Sequence, residues 1–243
     1  MSKVDLSTSL STAKANSTEK KKIFLRALAV DQRLQQIERV RCARDPKYWL
    51  WGDGIRHDGY VFTIDPHDGS HPIKRFPKKE YLEYLVDRWL KEHLLLVPKS
   101  RQIMASWIFT ALYLWDAQFH EGRYNYFQSK KEEDSDYLVR DRAGFMLEHQ
   151  PSFLWPEGFD PKRDISYCRI NFKSIRSVIH GIPEGGDQIR SKVPSGVLSD
   201  ESAFQPEFKK AIEALKPCIT GGGRVTCISS ANPGYFEELV NEK

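Results

Sequence analysis

Apolar and polar positions change rhythm several times along the chain. Residues 1–20 are Ser, Thr and Lys with few large apolar side chains. They hold too little apolar surface to offset the entropy of ordering, which predicts a disordered tail. From Lys21 to about Arg44 the rhythm becomes helical. Ile23, Leu25, Leu28, Val30, Leu34, Ile37 and Val40 recur at three- and four-residue intervals with Arg and Gln between them, and Pro46 marks the stop. Between 46 and 75, Gly, Asp, Pro and His punctuate the chain, and pieces such as Tyr60-Val61-Phe62 predict a loop with minor strands. Phe76 to about Lys91, entered through Pro77, reads as a helix.

Beyond this point short apolar runs alternate with longer amphipathic ones. The pattern predicts strands at Leu94–Val97, Tyr124–Gln128, Gly196–Ser199 and Arg224–Ser229, with paired strands at Ile165–Phe172 and Ser177–Ile182. Helices are predicted at Ser106–Phe119, Glu132–His149 and Phe208–Leu215. Ser106–Phe119 is apolar on most faces, as a helix buried between a sheet and other elements must be. Such alternation implies an α/β fold, a mostly parallel sheet with helices on both faces. The expected organisation is a tail at 1–20, a helical and loop appendage at 21–75, and a core at 76–243.

Composition narrows the classes. With 243 residues, 40% hydrophobic and 29% charged, the chain can bury a sizeable core. The net charge of +4, from 37 basic and 33 acidic residues, is too small for a nucleic-acid-binding global field, so any DNA contact must come from local patches. Lys130-Lys131, Arg140, Arg142 and Lys209-Lys210 are such runs, each mixed with acids as on a solvated helix face, and none is assigned as a site. Cys42, Cys168, Cys218 and Cys227 form no CxxC pair and no zinc spacing, so buried reduced thiols are expected. No apolar run reaches the roughly 18 residues that span a bilayer, and the N-terminus lacks an apolar signal core.

Three segments carry chemistry. The first, LLLVPKSRQIMAS at 94–106, is a strand, a polar turn and a helix start. That geometry lets backbone N–H groups and a helix dipole meet phosphate oxygens. Such a loop also needs a mobile cation and a hydroxyl for magnesium. Ser106 supplies the hydroxyl. Ala105 stands where the lysine is usual, and Lys99, at the opposite end, is the only Lys in the loop; Arg101 adds a second cation. The second segment, GVLSDESAF at 196–204, ends a strand in Asp200-Glu201, the pair needed to hold magnesium and to polarise an attacking water. The third, VTCISSANP at 225–233, ends a strand in small polar residues that can sit near a terminal phosphate. Each segment alone is as well read as ordinary structure. Their order, each at the C-terminal end of a predicted parallel strand, favours a nucleotide hydrolase.

In these segments the sequence resembles the ATPase domain of the large terminase subunit of tailed bacteriophages. The resemblance rests on Lys99-Ser100-Arg101-Gln102-Ile103-Met104-Ala105-Ser106, Ile189-Arg190, Val197-Leu198-Ser199-Asp200-Glu201 and Ser229-Ser230-Ala231-Asn232, and runs from roughly residue 70 to 235. It implies a P-loop fold of the RecA-like type, with a deviant loop whose lysine has moved to its start. Met104 departs from the family, which usually keeps glycine there, and Ser191 replaces the glycine after Arg190. The resemblance further implies ATP as substrate, Mg2+ on Ser106 and Asp200, Glu201 as general base and Lys99 on the phosphates. It makes Arg190 an arginine finger reaching a neighbouring subunit, with Arg101 as a competitor. Ser229, Ser230, Ala231 and Asn232 would couple hydrolysis to movement. Implied partners are double-stranded DNA, a portal protein, a small terminase subunit and further copies in a ring, a pentamer, in the host cell cytoplasm with no membrane. The family's nuclease domain is expected to be absent from this chain. For adenine, Phe76, Tyr81 and Trp49 are aromatic candidates whose default reading is core. Two rival readings are a superfamily-two-type helicase and a non-catalytic DNA-binding or scaffold module with a degenerate loop.

Overall fold

The computed structural model describes residues 3–185 and 193–242, with side chains from Ser17 onward. The chain forms two compact units, one of Met1–Pro77 with Pro151–Leu154, the other of Lys78–Gln150 with Trp155–Lys243.

In the first unit, helix α1 spans Lys3–Val30, α2 Gln32–Arg44 and α3 Pro46–Trp51. The segment read as a disordered tail is therefore helical from Lys3. A helix satisfies its own backbone groups without needing a buried face, and Ser17 Oγ and Lys21 Nζ reach Gly54 O (3.4 Å) and Asp58 Oδ1 (2.6 Å). The single helix expected from Lys21 to Arg44 breaks at Asp31, whose carboxylate accepts from Leu34 N and caps α2. Pro46 opens a helix instead of ending one, occupying the first turn where its missing N–H is harmless, with Asp45 as the cap. The antiparallel pair β1 (Phe62–Ile64) and β2 (Ile73–Arg75) follows.

The aliphatic stripe expected on this helical region is mostly uncovered: Ile23, Leu25, Val30, Ile37 and Val40 are exposed, and Leu28 is buried. The inward face of α2 instead carries Glu38. Its fully buried Oε1 accepts from Tyr48 Oη (2.7 Å) and Tyr60 Oη (3.0 Å), and His57 Nε2 lies 2.8 Å away. Burial alone would raise the Glu38 pKa, but these donors outweigh it and hold the carboxyl below its ordinary range. The unit is organised around a satisfied buried charge. Trp49 and Phe76 are buried in it, as core aromatics are.

The second unit is the α/β core. In chain order it comprises α4 (Glu80–Lys91), β3 (Leu94–Pro98), α5 (Ala105–Phe119), β4 (Tyr124–Gln128) and α6 (Glu132–Asp136). A π-helical segment, Tyr137–Gly144, leads into α7 (Phe145–His149). Then come α8 (Pro161–Asp164), β5 (Ile165–Ser166), β6 (Arg169–Phe172), β7 (Ser177–Ile182) and β8 (Gly196–Asp200). The core ends with α9 (Phe208–Thr220), β9 (Arg224–Ser229) and α10 (Tyr235–Asn241).

The seven-stranded sheet has the order β3-β9-β8-β4-β7-β6-β5. The first five strands are mutually parallel, and β6 and β5 add antiparallel at one edge. The stretch predicted as one strand at 165–172 is split at Cys168, which takes a left-handed turn at φ 53°. α9 runs five residues beyond Leu215 because Cys218 continues the buried face of Phe208, Ala211, Ile212 and Leu215. β3 is an edge strand with Leu94 exposed and Val97 buried. β8 is central, and all five of its residues are buried. The four cysteines are buried, and no disulfide joins them. Among the described residues no helix is long and apolar enough to cross a membrane.

The start of β8 is packed without slack. A Cβ on Gly196 would lie 2.5 Å from Tyr113 Cε1 and 2.8 Å from Asn125 Oδ1. Tyr113 cannot yield freely, because its hydroxyl is held by Val197 O (2.9 Å) and Thr226 Oγ1 (3.0 Å). We expect Gly196→Ala to destabilise the protein by about 1–3 kcal/mol through overpacking, read as a lower urea midpoint with an unchanged m-value.

Candidate active site

Parallel order places the C-terminal ends of β3, β9 and β8 side by side. The residue after β3 is Lys99, whose backbone N–H donates to Ser229 O (2.8 Å) and so carries the β3–β9 ladder past the strand end. Its side chain turns across β9 to the acids that close β8. Lys99 Nζ donates to Glu201 Oε1 at 2.7 Å and lies 4.0 Å from Asp200 Oδ1. The Lys99 side chain is only 9% exposed, which excludes a solvated surface lysine.

Glu201 has φ 50° and ψ 43°, a left-handed conformation unusual for a residue with a Cβ. The turn aims its carboxylate back over β9. There Oε2 accepts from Ser230 Oγ (3.1 Å) and, more distantly, from Ser230 N and Ser229 Oγ (3.4 Å each). Burial alone would raise the Glu201 pKa, but the Lys99 ammonium and the Ser230 donors outweigh it, and the carboxyl is held below its ordinary range. Asp200 is the opposite case. Burial dominates and pushes its carboxyl up, against the charges of Lys99 and Arg142 and a hydrogen bond from the Ser106 hydroxyl. Two adjacent acids thus have divergent environments, a common arrangement where one holds a ligand and the other moves a proton. The end of β8 is fixed from behind by Gln205, whose Nε2 donates to Asp200 O (2.8 Å) and Ser199 Oγ (3.1 Å).

Between β3 and α5 the loop turns through Gln102 at φ 64° and Met104 at φ 58°. Met104 supplies the left-handed geometry that glycine adopts freely, and its carbonyl accepts Ile108 N (3.0 Å), the first bond of the helix. Ser100, Arg101 and Gln102 are exposed, Ile103 and Met104 half-buried, and Ala105 is buried at the helix start. The structure therefore brings together Lys99, Ser106, Asp200, Glu201, Ser229 and Ser230. Asn232 turns its amide onto Ala203 O (2.8 Å), bracing the segment after Glu201, and Ala231 is exposed. Arg190 lies outside the described residues.

One participant was not assigned from sequence. Arg142, in the π-helical segment, places Nη1 4.0 Å from Asp200 Oδ2, on the other oxygen from the one Lys99 approaches.

Among the described residues no group of three or more His, Cys, Asp or Glu is placed to hold a metal ion. Magnesium does not need one. It is commonly held by one or two protein oxygens, with phosphates and waters completing the shell. The Asp200 carboxylate and the Ser106 hydroxyl lie close enough for the hydroxyl to lower the carboxyl's pKa, a hard-oxygen donor set that fits this ion.

No family model and no curated protein matches the sequence. Solved structures do match. The HK97 bacteriophage large terminase aligns with a TM-score of 0.57 at 10% identity, covering 82% of this chain and 40% of that one. The large terminase ATPase domain of Thermus phage P74-26 gives 0.47 at 14% identity, covering 67% of this chain and 69% of that one. An arginine-to-alanine variant of the same domain gives 0.49 over the same shares. The chain thus shares its α/β fold, a mostly parallel sheet flanked by helices with an N-terminal helical region, with the HK97 terminase, and spans less than half of that protein's length.

Two outcomes follow. Met104→Gly should leave stability within about 0.5 kcal/mol of the parent, because relief of the left-handed strain offsets glycine's larger unfolded-state entropy. Met104→Val, β-branched at the same φ, should lose about 2 kcal/mol or more; chemical denaturation distinguishes the two. For Asp200, a raised folded pKa means that ligand-free stability falls as pH rises from the ordinary aspartate range through the folded value. Asp200→Asn should therefore melt above the parent at neutral pH, with the difference shrinking as pH falls through the raised folded value and gone below about 4.

Proposed function

We propose that this chain is the ATPase motor domain of a viral DNA-packaging terminase, hydrolysing ATP to drive double-stranded DNA into a prohead. The observation that carries this reading is the contact of Lys99 with Glu201, 102 residues apart in sequence. It joins the relocated loop lysine to the acid pair across an intervening strand. The β3–α5 loop is a P-loop of deviant sequence that receives the phosphates, and β8 ends in a Walker B pair. Asp200 and Ser106 would hold Mg2+, which when bound neutralises charge on the phosphate oxygens.

The residues then divide the work. In the ligand-free state Lys99 neutralises Glu201 and keeps it weakly basic. When Lys99 turns to the phosphates of ATP, Glu201 loses its strongest partner and becomes a better proton acceptor for the attacking water. The lysine is thus both phosphate ligand and restraint on the base. Arg190, from a neighbouring subunit, stabilises charge on the transferring phosphoryl, with Arg101 as the alternative finger. Ser229 and Ser230 touch Glu201 and Asn232 braces Ala203, so the segment after β9 would feel a change at the base and pass it on to DNA. Assembly as a pentameric ring with a portal protein and a small terminase subunit, in the host cytoplasm, completes the proposal.

The test is Mg2+-dependent ATP hydrolysis at high protein concentration. Glu201→Gln should retain nucleotide binding and lose about 10²-fold or more in turnover, as expected for loss of a general base. Lys99→Ala should lose binding itself. A parent protein that neither binds nor hydrolyses ATP would overturn the enzyme reading in favour of a non-catalytic module.

A further inference from the structure

The buried guanidinium of Arg142 is not accounted for by the roles above. Its side chain is 16% exposed, and Nε and Nη1 have no hydrogen-bond partner among the described residues. A guanidinium carries five donors and no acceptor, and burying such donors unmet is costly. The Asp200 carboxylate stands 4.0 Å from Nη1, beyond hydrogen-bond reach.

The group is nonetheless held in place. Its guanidinium carbon lies 5.5 Å from the ring centroid of Trp107 and 5.1 Å from that of Tyr137, within cation–π distance of both. Trp107 directly follows Ser106, so the guanidinium is tethered to the first turn of α5. Tyr137 and Arg142 both belong to the Tyr137–Gly144 segment, whose i→i+5 bonding widens the helix; insertions of this kind recur at functional sites. A fixed, dehydrated cation with unmet donors, next to a magnesium-fitting carboxylate and a phosphate loop, lacks an anion with several acceptor oxygens.

We propose that Arg142 binds the terminal phosphate of ATP within its own subunit, a cis cation distinct from Arg190 and Arg101. This rests on the ATPase reading. It gives the site two cations on either side of Asp200, Lys99 from the β3 side and Arg142 from the β4 side. Loss of the γ-phosphate would remove the oxygens that Arg142 meets, so the residue distinguishes ATP from ADP and relays the difference through the π-helical segment.

The experiment measures equilibrium binding of Mg2+ with ADP, and of Mg2+ with the non-hydrolysable β,γ-imido analogue of ATP, to the full chain by calorimetry. Protein is kept dilute so that a neighbouring subunit contributes nothing. The parent should bind both. Arg142→Gln should weaken the analogue by about 10- to 100-fold, the loss of one or two charge-assisted hydrogen bonds, and change ADP by less than about threefold on the same scale. Arg142→Lys, which keeps the charge but not the planar fork, should recover part of the analogue affinity and serves for the same comparison if the Gln variant does not fold. Equal losses for both nucleotides would show that Arg142 only supports the site, and unchanged analogue affinity would show that it does not touch the phosphate; either overturns the inference while leaving the ATPase reading intact. A parent that binds neither nucleotide overturns both.

Discussion

A carboxylate withdrawn from water at the end of a strand must be met by cations or take up a proton. The Asp200 carboxylate is in that position, and much of the core serves to place it and answer it. Its strand is central, buried on every residue and packed against Tyr113 without room for a methyl group. One answering cation comes from two strands away, about 9–10 Å across the sheet. Only a long side chain leaving the first position of its loop spans that gap, and Lys99 is placed there. The other cation comes from the opposite side, on a helix whose winding changes where it passes the site.

The same site stores backbone strain. Met104 and Glu201 both take left-handed conformations that glycine would adopt at no cost. At Met104 the strain lets a loop without glycine keep the turn into α5. At Glu201 it points the carboxylate over β9, toward the lysine and the two serines. Neither conformation is favoured locally. They are held by neighbours, through the Ile108 bond at one end and the Ser230 and Lys99 bonds at the other.

How much of this was legible follows from where each signal is local. β4 and β9 keep the limits their apolar runs imply, because such a run in a parallel sheet is bounded by its own turn residues. Lys99, Ser106, Asp200, Glu201 and Ser230 were readable from their order along the chain, since strand ends in an open α/β sheet converge on one edge. Arg142 was not. In YLVRDRAG it reads as one more charge on a mixed helix face, because face assignment assumes 3.6 residues per turn and the π-helical segment breaks that count. The first unit misled for another reason. Its helices point a charge, Glu38, inward and leave aliphatic residues outside, so a search for an apolar stripe finds the wrong face. The break at Asp31 and the helix opening at Pro46 are cap effects, written in single residues that a periodicity reading passes over.

The chain enters the first unit twice, at Met1–Pro77 and again at Pro151–Leu154. During synthesis the N-terminal residues must therefore wait, incomplete, until more than seventy residues of the core have been made. The two units cannot mature in simple N-to-C succession. Neither can be exchanged between related chains by a single crossover: a graft that replaces the first unit must also carry the four-residue segment embedded in the second, which ties the inheritance of the appendage to that of the α/β core.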